Sequence, residues 1–172
     1  ASMPATRLAS TAIDRISQAR EAVADEIAAY AGSDALCYPA DHPTPLVERQ
    51  ARAWGSWRDW AAREMGVALE LVEGIIHRPQ SPEAIARVKA HALSLDDFGL
   101  TGLATAVPLL GSAILGLALA RGAASGEEAF ELSRIDEAFQ EEQWGVDAEA
   151  AERTASRRAE AVLLERWFRA LR

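Results

Sequence analysis

Residues 98–120 run for 23 positions without a charged side chain. As one helix the run would be roughly 35 Å long, enough to cross a bilayer core of about 30 Å. Only ten of the 23 are strongly apolar; the others are Ala, Gly, Thr, Ser and Pro. Ser112, Gly116 and Ala120 form a small-residue stripe at i, i+4 spacing, which lets another helix approach closely. Pro108 should kink or split the run, because it lacks an N–H and its ring clashes with the preceding turn. The segments on either side are amphipathic, and each needs an apolar partner. A central helix that is apolar all round supplies it, so a buried core helix is the preferred reading. The alternative is a membrane-associated helical protein anchored through residues 98–120.

Ala, Leu, Glu and Arg dominate the chain and β-branched residues are sparse, which favours helix nearly throughout. Ile13, Ile16, Val23, Ile27 and Tyr30 predict a first helix over 10–31, ended by Gly32. The Pro-rich stretch 32–45 is a loop. Thr44 as cap and Pro45 at the first position start a second helix, with Leu46, Val47, Trp54, Trp57 and Ala61 inward and Gly66 at its end. Residues 67–76 could form a short extended segment. Ser81-Pro82-Glu83 opens a third helix that ends near Asp97. Ser125-Gly126-Glu127-Glu128 is a capping box for a helix reaching Trp144-Gly145. Asp147 caps the last helix, with Ala151, Ala155, Ala159, Val162 and Leu163 inward. The expected fold is all-α: a single compact bundle of about six helices around the central apolar one. Residues 1–9 read as an expression scar or flexible start, and 10–172 as one helical domain. No secretory signal is visible at the amino end.

Charge narrows the function. The net charge of −8 argues against nucleic acid, which needs clustered Lys and Arg, and suits a basic or neutral protein partner. The single cysteine, Cys37, forbids an intramolecular disulfide and points to a reducing compartment. His42, His77 and His91 lie in separate segments without metal-ligand spacing, and read as surface or core histidines. Residues 111–116 have the glycine spacing of a phosphate loop but lack its lysine. No nucleophile elbow is present, and His42 is the only histidine near Cys37. No catalytic set, metal site or cofactor is therefore expected. Trp54, Trp57 and Trp60 read as core, spread over a wide helix face that leaves one ring partly exposed.

The helix over 127–144 is the most informative segment. Ala129, Leu132, Ile135 and Phe139 make an inward face; Glu127, Glu131, Arg134, Glu137, Glu141 and Glu142 make an outward one. Asp136 sits at their boundary, partly desolvated and placed to meet a partner's Arg or Lys. The plainer reading is a solvated acidic face with local pairs such as Glu131 to Arg134.

Two ordered sets of residues carry a family resemblance. The first is Leu36-Cys37-Tyr38, Leu46-Val47-Glu48-Arg49-Gln50, Trp54 and Trp60-Ala61. The second is Leu132-Ser133-Arg134-Ile135-Asp136-Glu137, Gln140 and Trp144-Gly145. Together the chain resembles the ATP synthase α-subunit assembly chaperones of mitochondria and some bacteria. The resemblance implies a non-enzymatic helical domain that binds the unassembled α subunit of the catalytic sector. It implies protection from aggregation until β takes its place. The chain is expected to be a monomer before client binding. The compartment would be the bacterial cytoplasm, or the mitochondrial matrix in a eukaryote. A small β-rich domain of the family would lie upstream of Ala1. The family's important acidic position falls on Asp136, where mitochondrial relatives tend to carry Glu. Gly55-Ser56 departs from the usual Asp-Pro, and the central run is more apolar than in relatives. The client-facing set expected is Asp136, Glu137, Glu131, Arg134, Glu141 and Trp144.

Overall fold

The computed structural model of the chain describes residues 4–74 and 78–172. Its helices are α1 (Pro4–Thr11), α2 (Ser17–Ala31), α3 (Thr44–Met65), α4 (Pro82–Leu93), α5 (Asp97–Leu110), α6 (Ala113–Arg121), α7 (Gly126–Ser133), α8 (Ile135–Trp144) and α9 (Ala148–Leu171). No strand occurs among the described residues, and the all-α expectation holds. Three of the expected helices are broken, so there are more segments than six.

The uncharged run is two helices. Pro108 is tolerated near the end of α5, and the chain reverses three residues later, where Gly111 adopts a left-handed φ of 63°. Ser112 then caps α6, its hydroxyl accepting from Leu115 N at 3.1 Å. With 14 and 9 residues, the two helices span roughly 21 and 14 Å. No helix among the described residues is long and apolar enough to cross a membrane, and residues 98–120 form two short, largely buried helices where the alternative reading needed one span. The small-residue stripe works inside the hairpin: a Cβ on Gly116 would lie 2.4 Å from Val107 Cγ2. Leu100, Leu103, Val107, Ile114, Leu115 and Leu119 are fully buried.

The other helices cover this hairpin. α2 packs on α5 and α4, and α9 packs on α5 and α7. Helix α1 begins at Pro4, ahead of the expected start at Ser10, so residues 4–9 of the expected flexible start are helical; residues 1–3 lie outside the described residues. A π-helical turn (Ala12–Ile16) joins α1 to α2 and slips the apolar stripe by one residue, leaving Ile13 65% exposed instead of inward. In α3 the cap is Pro43, not Thr44: its carbonyl accepts from Leu46 N and Val47 N. Gly66 ends α3 in the left-handed conformation, as expected. Residues 67–72 form no ladder, yet Val67, Leu69 and Val72 are buried. Val72 N donates to Cys37 O, and Gln80 bonds both backbone groups of Glu70. Ile76 and His77 lie outside the described residues.

Ser81 caps α4 through Ala84 N, but α4 stops at Leu93, short of Asp97, because Asp96 caps a new helix through Gly99 N. Ser125 and Asp147 cap α7 and α9 as expected. The inward face of α9 differs. Ala151, Ala155 and Ala159 are exposed and Val162 and Leu163 half-buried, while Ala161, Leu164 and Phe168 are buried. Aromatic area sets this rotation, because Trp167 and Phe168 seat on α5 where Gly102 has no side chain and a Cβ would lie within 2.8–2.9 Å of both rings. Trp167 Nε1 donates to Phe98 O at 3.0 Å. Trp54 is buried, whereas Trp57 and Trp60 are both half-buried and meet edge to face at 5.6 Å.

A fully buried carboxylate ties the loop after α2 to the central turn. Asp34 Oδ1 accepts from Leu36 N and Oδ2 from Ile114 N, each at 3.0 Å. Burial raises its pKa, against the hydrogen bonds from Ile114, Ser112, Leu36 and Ala113. Ala35 N donates to Gly111 O in the same place. Asp34→Ala strands two buried amides, so it should cost about 2–4 kcal/mol. Thermal unfolding checks this as a Tm lower by roughly 5–10 °C.

Candidate functional site

The expected single helix over 127–144 breaks at Arg134, whose φ of −128° and ψ of 29° lie outside the helical region. The Arg134 side chain turns inward, with only 12% of it exposed. It pairs with Glu141 at 2.6 Å and lies over the Phe130 ring. The outward assignment of Arg134 is thereby corrected, and so is its pairing with Glu131. Glu131, with Glu127, instead reaches Arg158 of α9, which also covers Phe130. Ala129, Ile135 and Phe139 are buried and Leu132 half-buried, as the inward face requires.

Because α8 restarts at Ile135, Asp136 and Glu137 stand in its first turn, where the helix dipole favours negative charge. Three contacts hold this part of the chain against α3. Gln50, fully buried, donates from Nε2 to Asp136 Oδ1 at 2.8 Å while its Oε1 accepts from Ala40 N at 2.7 Å. Trp54 Nε1 donates to Leu132 O at 2.8 Å. Arg49 grips both Glu142 oxygens at 2.8 and 2.9 Å and covers the Phe139 ring. Asp136 is thus positioned by a buried amide on a rigid helix.

A pocket of about 370 Å³ opens beside it, lined by Ser33, Ala35, Tyr38, Trp54, Ser133, Asp136 and Glu137. Its floor is rigid. Tyr38 OH donates to Gly32 O at 3.0 Å, and Arg58 Nη1 holds Leu36 O at 2.6 Å. No basic residue lines it. Among the acidic residues of α7 and α8, Glu127, Glu131, Glu141 and Glu142 each have an arginine. Among the described residues Asp136 and Glu137 have none, and neither does Glu128 in the first turn of α7. Desolvation raises the Asp136 pKa, the Glu137 charge raises it further, and the Gln50 bond opposes both.

Of the six expected site residues, Asp136 and Glu137 meet at the pocket, and Trp144 is 85% exposed farther along α8. Glu131, Arg134 and Glu141 are engaged within the chain. Gln50, Tyr38 and Trp54 were missed as site residues. One signal was available: Gln50 interrupts the apolar stripe Leu46, Trp54, Ala61, and a buried amide there demands a polar partner.

Cys37 is buried, and desolvation followed by the Asp34 charge, with Arg58 opposing, pushes its thiol up to about 12. His42 is exposed beside Asp41, and His91 Nε2 bonds Met65 O at 2.7 Å. No group of three metal-binding side chains converges among the described residues. Removing the Glu137 charge lifts a penalty on ionising Asp136, so Glu137→Gln should lower the Asp136 pKa. Gln50→Ala removes a donor to the carboxylate and should raise it. Carboxyl-carbon NMR titration of the two variants reads both directions.

Comparison with known proteins gives the family. A family model described as the ATP12 chaperone protein matches residues 1–62. The mitochondrial protein atp12 of Schizosaccharomyces pombe is 25% identical over 153 residues, which is 83% of this chain and 52% of that protein. The chain therefore spans about half the length of this curated relative. The crystal structure of Atp12 from Paracoccus denitrificans matches with a TM-score of 0.92 at 44% identity, covering 97% of this chain and 72% of that one. An aspartate-to-lysine mutant of the Paracoccus protein matches equally well, over 71% of its chain. A candidate chaperone from Agrobacterium tumefaciens is 38% identical with a TM-score of 0.90, over 99% of this chain and 66% of that one. With 44% identity along nearly its whole length to a solved Atp12, this chain belongs to the ATP12 chaperone family.

Proposed function

We propose that this chain is the helical, client-holding part of a non-enzymatic ATP synthase assembly chaperone, and that its client is the unassembled α subunit of the catalytic sector. The observation that carries the reading is the electrostatic state of α8. The chain neutralises the other carboxylates of this helix with its own arginines and leaves Asp136 and Glu137 open at a pocket. Asp136, Gln140 and Trp144 recur at i, i+4 on that helix, and all three are exposed. An acidic end, an amide and a bare tryptophan about 12 Å away suit a partner surface that is part basic, part apolar. Such a mixed interface can be displaced, as handing α on to β requires. The chaperone would cap α and shield it from self-association, with no chemical step.

The test is capture of purified α and β subunits by the immobilised chain, together with variants. Retention of α over β is expected; equal retention of both, or of neither, overturns the assignment. Asp136→Asn keeps an acceptor for Gln50 and should weaken α capture modestly. Asp136→Lys places a like charge against a basic surface and should weaken it by about tenfold or more, near 1.4 kcal/mol. Glu152→Lys, exposed on α9, should capture α normally. Normal capture by Asp136→Lys would remove Asp136 from the interface.

A further inference from the structure

We propose that the pocket between the loop after α2, α3 and the start of α8 is a socket for a single arginine side chain of the client. This rests on the chaperone reading and names the chemistry of its central contact.

The argument starts from charge. Seven residues line the pocket, two of them carboxylates without a cation and none of them basic. Asp136 commits one oxygen to the neutral Gln50 amide, which leaves its other oxygen and the Glu137 carboxylate for an incoming donor. An occupant bearing positive charge completes the site; a neutral or acidic one leaves the partly desolvated Asp136 carboxylate beside the uncompensated Glu137 charge. Shape comes next. At about 370 Å³ the recess takes one long side chain, not a helix or strand.

Its walls then separate arginine from lysine. Of its two aromatic residues Trp54 is buried and Tyr38 half-buried, so Tyr38 offers the ring within reach of an occupant. A planar guanidinium stacks on aromatic faces and spreads several donors over two acceptors, whereas an ammonium is compact and more strongly hydrated. Ser33 and Ser133 in the lining add hydroxyl oxygens that can accept from the guanidinium, the Ser133 proton being already given to Phe130 O. The socket is also preformed. Tyr38 is tied to Gly32 O, Trp54 to Leu132 O and Asp136 to Gln50, so an entering side chain has little to order.

The experiment titrates the chain, with its tryptophan indole and carboxyl NMR signals assigned, with three blocked tripeptides. They carry arginine, lysine or citrulline at the centre. The arginine peptide should shift the Trp54 indole and the Asp136 and Glu137 carboxyl signals saturably, and bind more tightly than the lysine peptide. Citrulline, which keeps the shape but loses the charge, should leave them unmoved. The double variant Asp136→Asn, Glu137→Gln should bind the arginine peptide about tenfold more weakly or worse, while its signals away from the pocket stay those of the folded chain. Tyr38→Leu, which keeps both carboxylates, should narrow the preference for arginine over lysine. Equal shifts from citrulline, equal binding of lysine, or full binding by the double variant would each overturn the socket. Capture of α without arginine-peptide binding overturns the socket and leaves the client reading intact. Arginine-peptide binding without α capture supports the socket and removes that client.

Discussion

A buried carboxylate sits where the uncharged run turns back on itself. Asp34 accepts from Leu36 N in its own loop and from Ile114 N at the start of α6. Through these bonds the reversal between α5 and α6 and the loop after α2 share one anchor. Without that reversal the run would be a single rod about as long as the 24-residue α9. With it, α5 and α6 stack along the contact of Gly116 with Val107 and offer a compact apolar surface for the outer helices. The loop held by Asp34 also carries Ala35 and Tyr38 to the wall of the pocket. Core and site therefore depend on the same buried group.

Rigidity at the site comes from spacing on α3. Arg49, Gln50 and Trp54 contact Glu142, Asp136 and the Leu132 carbonyl, so one helix fixes the end of α7 and both ends of α8. The break at Arg134 makes this geometry available. It ends α7, buries a guanidinium over Phe130, and starts α8 so that Asp136 and Glu137 fall in its first turn. Most charge on the acidic face is then settled internally. The total of 26 acidic residues says little about where a partner binds; the few left without a cation say more.

Much of the fold was legible in the chain. Capping residues marked where helices begin: Ser81, Ser125 and Asp147 all accept from the predicted backbone amides. Pro108 announced a break near its position. Less legible were features that depend on neighbours. The slip at residues 12–16 exposed Ile13, and the rotation of α9 turned Ala151, Ala155 and Ala159 outward, because Trp167 and Phe168 seat on Gly102. Local periodicity cannot weigh an alanine stripe against two aromatic rings whose seat lies more than sixty residues away. For the site, the motif residues were visible in order along the chain, but the role of Gln50 was not.

By itself the sequence determined what elementary side-chain physics dictates along the chain: helix nearly throughout, a central uncharged run to be buried, a net charge of −8, and an acidic stretch ending in tryptophan. Tertiary structure alone decided which of those charges remain available. Arg49 and Glu142 are 93 residues apart, and Gln50 and Asp136 are 86 apart. Pairing at such separations follows from how helices pack, and packing is set by the area each face buries rather than by the charges it carries. The open carboxylates at the pocket are what remains once that packing has chosen its ion pairs.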